Sequence, residues 1–281
     1  MFLTIGALLV FAAGDAFGTV TTSVVLSAAI LLFGLPHGTL DLALIRKAHA
    51  NSNLALVTLL YCGCASAMYA AWKISPALAM NIFFALSIRH FAEDWADRLP
   101  PAFAHGTAIA LLAAPAIFHQ ATLTTLFAFL VESRSAAIAV DVAILIAPIA
   151  IAVASVGVIA MWADGHREMA VTTSMSLIGM IFLPPLVGFT LFFCLMHSPT
   201  QFAAGLGALG WRRPHEWAGP VVGLTLAALG IAAAIYHGTL ATALSQSMIV
   251  TAFVTLSVLT LPHMVMPFLV RRLSDYRLKS V

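Results

Sequence analysis

Four histidines stand in apolar surroundings beside helix-breaking or polar neighbours: His37 in GLPHGTLD, His90 in SIRHFAEDW, His197 in FFCLMHSPTQ and His263 in TLPHMVMP. Imidazole binds iron, zinc, copper and nickel well and also carries protons. A single such histidine reads most simply as a hydrogen-bonded packing residue. Four of them share a register, however. His37 lies nine residues before Arg46, His90 eight before Arg98, and His263 eight before Arg271. At 1.5 Å per helical residue, these three sit roughly 12–14 Å from one basic boundary. His197 lies fifteen residues before Arg212, with a loop between. Imidazoles at one depth suit a shared metal or proton site, because ionisable groups in an apolar setting are costly and usually functional. Asp41, Glu93 and Asp94 are near enough to accept a second imidazole N–H, which fixes the tautomer of a ligand. Other roles remain open: Asp41 is equally placed to pair with Arg46 or cap a helix, and Glu93 and Asp94 to form a solvated helix end beside Arg98.

The elements that position these residues follow from composition. The chain has 281 residues, 62% of them hydrophobic and 9% charged, against about 25% charged in a soluble domain. The expected fold is all-α, a polytopic transmembrane bundle of eight to ten helices in a single integral-membrane domain over residues 1–281. Apolar segments are expected near 2–14, 19–45, 54–72, 76–95, 104–131, 136–162, 169–184, 186–208, 216–236 and 240–270. The first residues lack a basic n-region, so a short membrane segment is expected there rather than a cleaved signal. The net charge of +2 offers no basic surface for nucleic acid.

Alternate loops collect Arg46, Lys47, Arg98, Arg167, Arg212, Arg213, Arg271, Arg272, Arg277 and Lys279, whereas the opposite set holds Lys73 and Arg134. This bias puts the basic loops and both termini in the cytoplasm of a multi-pass inner-membrane protein. Cys62, Cys64 and Cys194 lie in apolar runs and suit small core residues better than a disulfide or zinc site. GLGALG (205–210) has the spacing of a dinucleotide loop but follows an apolar helix, so small-residue packing is expected. Pro36 and Pro262 each precede a site histidine and can bend a helix to aim it. His119 lies deeper, where it could line a cavity.

At these residues the sequence resembles the Brp/Blh family of membrane β-carotene 15,15'-dioxygenases. GLPHGTLD, RHFAEDW, FLPPLVGFTLFFCLMHSPTQ and TLPHMVMP are similar to its ordered motifs, and FAHGTAIALLAAPAIFH resembles the segment between its second and third. The likeness runs from about residue 30 to 270. It implies an Fe(II) enzyme that cleaves the central double bond of β-carotene, or of a related polyene, with O₂ to give all-trans-retinal. It also implies a retinal-binding rhodopsin as a recipient of the product. The family's iron is thought to be held by four histidines. Three match His37, His90 and His197. At the fourth position, four residues after the third, this chain has Gln201. The site is then open to using Gln201, recruiting His263, keeping three ligands or having lost activity, and His263 is equally open to orienting a ligand or lining the cavity. Phe83, Phe84, Phe189, Phe192 and Phe193 are expected to wall the polyene in and exclude water.

Two other functions fit the same residues. One is a non-catalytic paralogue holding a metal or retinoid, which Gln201 favours. The other is a transporter relaying protons or a metal ion through the histidines, against which no convincing internal repeat is evident.

Overall fold

The computed structural model describes residues 19–48, 53–239 and 243–279. The segment expected at 2–14 and the end of the chain after Lys279 lie outside them. Among the described residues the chain is a helical bundle without strands, in ten rods. Helix α1 (Thr19–Ala29) passes through a π turn (Ile30–Gly34) and a 3-10 turn (Leu35–Leu40) into α2 (Asp41–Ala48). There follow α3 (Leu54–Ile74), α4 (Pro76–Phe91) with a 3-10 extension (Ala92–Trp95), α5 (Pro101–Ala113), α6 (Pro115–Phe118), α7 (Gln120–Ala128), α8 (Ser133–Ala163) and α9 (Arg167–Phe182). Helix α10 (Pro185–Phe192) runs through a second π turn (Phe193–His197) into α11 (Ser198–Leu209), and α12 (Pro214–His237) and α13 (Leu244–Lys279) complete the chain. Seven rods are long and apolar enough to cross a membrane.

The segment expected as one span over 104–131 is three elements, α5, α6 and α7. Pro115 supplies no N–H to the helix it interrupts, and His119 leaves the helical region (φ −124°, ψ 32°). Helix α7 then packs on α8, where Leu123, Ala116 and Val140 form a small separate core. His119 Nε2 is buried there without a partner and lines neither of the cavities described below.

Two packing centres organise the bundle. Helix α8 packs against α5, α7 and α9, and α13 packs against α1, α3, α4 and α12. The α8 contact face is a stripe of buried small residues, among them Ala136, Ala147, Ala150, Ala154 and Gly157. Small side chains let helices approach closely where lipid removes the hydrophobic drive between them. A Cβ on Gly106 of α5 would come within 2.4 Å of Val153. The GLGALG stretch lies in this category: Gly205 sits inside α11 against Leu40, and Gly210 ends that helix in the left-handed region (φ 77°). Lys47 reaches across and donates to the carbonyls of Ala208 (2.7 Å) and Leu209 (3.2 Å) at that same helix end. Helices α4 and α10 bridge the two centres, and the site histidines lie on them and on the rods of α1 and α13.

Candidate metal centre

The irregular turns exist where the histidines are. Two π turns, Ile30–Gly34 and Phe193–His197, pack against one another. A π turn leaves backbone groups outside the regular helical ladder, and side chains from the opposing rod take them up. Ser198 Oγ donates to the Phe33 carbonyl (2.7 Å), and Cys194 Sγ to that of Ala29 (3.5 Å). A Cβ on Gly34 would lie 2.1 Å from the Phe193 ring, so only glycine allows this approach. Pro36 then lies in the first positions of the 3-10 turn that carries His37.

The four histidine rings converge. His37 lies 5.7 Å from His90, 5.2 Å from His197 and 5.5 Å from His263 between centroids, and His90 lies 4.6 Å from both His197 and His263. Each ring is held by its Nδ1. His37 Nδ1 donates to the Gly34 carbonyl and His197 Nδ1 to Asp94 (2.8 Å). His263 Nδ1 meets both oxygens of Asp41 (2.8 Å), and His90 Nδ1 lies 3.4 Å from Glu93. Binding through Nδ1 leaves Nε2 as the free lone pair. Nitrogens of His37, His90 and His263 all lie within 4.8 Å of one another, and His197 Nε2 is 3.0 Å from His90 Nε2.

The carboxylates divide among these rings. Asp94 and Asp41 are buried. Asp94 also accepts the amide of Gln201 (2.7 Å), and Asp41 the hydroxyl of Tyr61 (3.2 Å). Glu93 is more exposed and pairs with Arg89 (3.0 Å). The Gln201 amide is thus directed at the carboxylate that holds His197. Tyr61 is the site residue that sequence reasoning did not single out. A tyrosine hydroxyl within the apolar run LLYCGC was the available signal.

A cavity of about 220 Å³ reaches His37, His90 and His263. Phe83, Phe189 and Phe193 line it, whereas Phe84 faces a second chamber. Phe192 is buried edge-on against Phe91 and lines neither. His197, fully buried, stands behind His90 rather than in the cavity wall.

A family model of beta-carotene 15,15'-dioxygenases matches residues 28–269. The chain belongs to that family. A relative from an uncultured marine bacterium (66A03), a beta-carotene 15,15'-dioxygenase, is 28% identical over 273 residues, covering 90% of this chain and 95% of the relative. No solved structure matches the chain. All four convergent histidines and both buried aspartates fall inside the part of the chain matched to the dioxygenase family.

The donor set fits a divalent metal ion on two counts. With both Nδ1 atoms given to carboxylates, the Nε2 lone pairs of His90 and His197 face each other at 3.0 Å. Two imidazole nitrogens roughly 2 Å from one ion, in neighbouring positions, lie about 3 Å apart. Second, Asp41 and Asp94 have no Lys or Arg partner among the described residues, and a buried charge needs compensation. A dication at the imidazoles would balance the two carboxylates.

Proposed function

We propose that the chain is an Fe(II) dioxygenase that cleaves β-carotene, or a related polyene, at the central double bond to give two molecules of all-trans-retinal. The observation that carries this reading is the convergence of four Nδ1-anchored imidazoles, three of them in the wall of an apolar cavity and His197 directly behind His90, in a chain of this family. His37, His90, His197 and His263 would hold the iron, with Gln201 acting through Asp94. Among metals that imidazole suits, iron has the redox chemistry needed to bring O₂ into reaction with an alkene.

The protein's own part is positional. Splitting one C=C with O₂ into two aldehydes balances in atoms and electrons: each oxygen atom ends in one carbonyl. No external reductant or proton is consumed, so the carboxylates need not deliver protons. Their work is to fix each imidazole as the neutral Nδ1–H tautomer with Nε2 inward. The aromatic wall of Phe83, Phe189 and Phe193 excludes water and holds the polyene flat chains against it. Cys62, Ala227 and Ile231 line the cavity and are exposed on the outer surface of α3 and α12. A lipid-dissolved polyene could enter there without crossing the headgroups, and retinal could leave by the same route toward a retinal-binding rhodopsin. The basic loops at Arg98, Arg167 and Arg212 would face the cytoplasm of the inner membrane.

Expression in a β-carotene-accumulating bacterium tests the reading. The expected outcome is loss of orange colour with accumulation of retinal. Unchanged pigment with iron-loaded protein in the membrane would overturn it; pigment that co-purifies uncleaved would favour a binding paralogue.

A further inference from the structure

Beyond the main cavity lies a second chamber of about 50 Å³. Phe83, Ser87 and Phe189 stand in the walls of both. On α4, Ser87 and Phe83 precede His90 by three and seven residues, which places them about 4.5 and 10.5 Å further along the helix. The chamber therefore begins one to two turns beyond the histidines. Its far wall comes from α6 and α7, including Leu123 and Leu126. The helix break at His119 separates α6 from α7, and both supply residues to this wall.

We infer that this chamber receives the far arm of the polyene, and that its depth sets which double bond lies at the histidines. The inference rests on the carotenoid-cleaving function proposed above. A long substrate cut at its middle needs room on both sides of the cut. The main cavity, open toward α3 and α12, holds one arm. The chamber extends from the shared wall toward α6 and α7. Its lining is apolar except for Ser87, so it suits a hydrocarbon arm rather than a polar end group. An apolar cavity that accepts benzene measures about 150 Å³, so the chamber must widen. The Phe83 and Phe189 rings, which separate the two spaces, are the groups that would swing aside and join them.

The test fills the chamber from the wall opposite the histidines. Wild type and Leu126→Trp, purified with iron, are compared on β-carotene and on a polyene aldehyde shortened at one end. Retained pigment per protein is read by absorbance, and cleavage products by chromatography. Leu126→Trp is expected to retain and cleave β-carotene about tenfold less, a loss typical of steric exclusion from an apolar pocket. Handling of the shortened polyene should change less than about threefold on the same grounds. Residual cleavage of β-carotene should become off-centre and give aldehydes of unequal length. Leu126→Phe, a smaller fill, carries the test if tryptophan prevents insertion. Wild-type handling of both substrates, or an equal loss on both, would overturn the inference. Pigment retention reads the chamber even if no polyene is cleaved, so failure of the proposed reaction and failure of the chamber are told apart.

Discussion

The two histidines held by buried aspartates, His197 and His263, are built alike and set in different surroundings. Asp94 takes His197 on one oxygen and the Gln201 amide on the other. Asp41 takes His263 on both oxygens and the Tyr61 hydroxyl on one. The His197 arm is sealed: its imidazole is fully buried, stacked on Phe193 and edged by Phe91. The His263 arm borders the cavity, with a fifth of its side chain exposed. Packing and hydrogen bonds both fix the first arm, whereas the second depends more heavily on its hydrogen bonds. Damage to the first should therefore reach stability as well as metal, and damage to the second should fall mainly on metal and turnover.

The largest effects test that division directly. His197→Ala and His263→Ala are each expected to lower bound iron and retinal production at least tenfold. His197→Ala also empties a packed site and leaves Asp94 without its ring. Its thermal stability should fall by about 2–5 kcal/mol, against a smaller loss of about 1–3 kcal/mol for His263→Ala, whose ring borders open space but whose removal still takes a partner from Asp41. Metal analysis with a thermal melt in detergent checks both. Equal destabilisation by the two variants would erase the distinction between the arms.

Removing charge while keeping shape comes next. Asp94→Asn and Asp41→Asn should each weaken iron binding by about 10–100-fold, the usual range for a carboxylate behind a ligating histidine. The Asp94 variant belongs at the upper end. Its carboxylate is the drier of the two (3% against 7% exposed), and charge acts more strongly where the local dielectric is low. Iron titration of the two purified variants gives the order. Tyr61→Phe removes one hydrogen bond to Asp41, worth about 0.5–1.5 kcal/mol. It should lower iron affinity about threefold, a change that Asp41→Asn should largely absorb when the two are combined.

How much of this was readable in the sequence differs between the same regions. The helical bundle follows from composition, and the matched spacing of His37, His90 and His263 from basic residues anticipates rings at one level. Three features are not visible there. The two π turns depend on Gly34 meeting Phe193 across 159 positions of chain, a contact that periodicity cannot report. The break at His119 separates two apolar stretches that read as one, because hydropathy does not register a change of direction. The pairing of carboxylates with rings is also hidden. Asp41 lies near His37 in sequence yet holds His263, and Asp94 lies near His90 yet holds His197. Nearness along the chain picks out acids that the fold brings to the rings without saying which ring each one meets.

The smallest expected effect belongs to Gln201, the residue at which the sequence departs from the histidine pattern it resembles. It lies one turn beyond His197 on α11, and its amide donates to Asp94 at 2.7 Å. An imidazole at this position could donate a ring N–H to the same oxygen. It would replace one hydrogen bond with another of similar strength, within about 0.5–1.5 kcal/mol. His263 already supplies a fourth ring to the cluster, so a further imidazole is surplus as a ligand. Gln201→His should change iron affinity and retinal yield by less than about threefold on these grounds. Gln201→Leu should cost more, because it leaves a buried carboxylate oxygen unpaired, at about 1–3 kcal/mol. Iron titration of both variants beside wild type makes the measurement. A tenfold gain in Gln201→His would mean that position 201 reaches the metal itself. His263 would then be the surplus ring, and the roles of the sealed and cavity-facing arms would have to be exchanged.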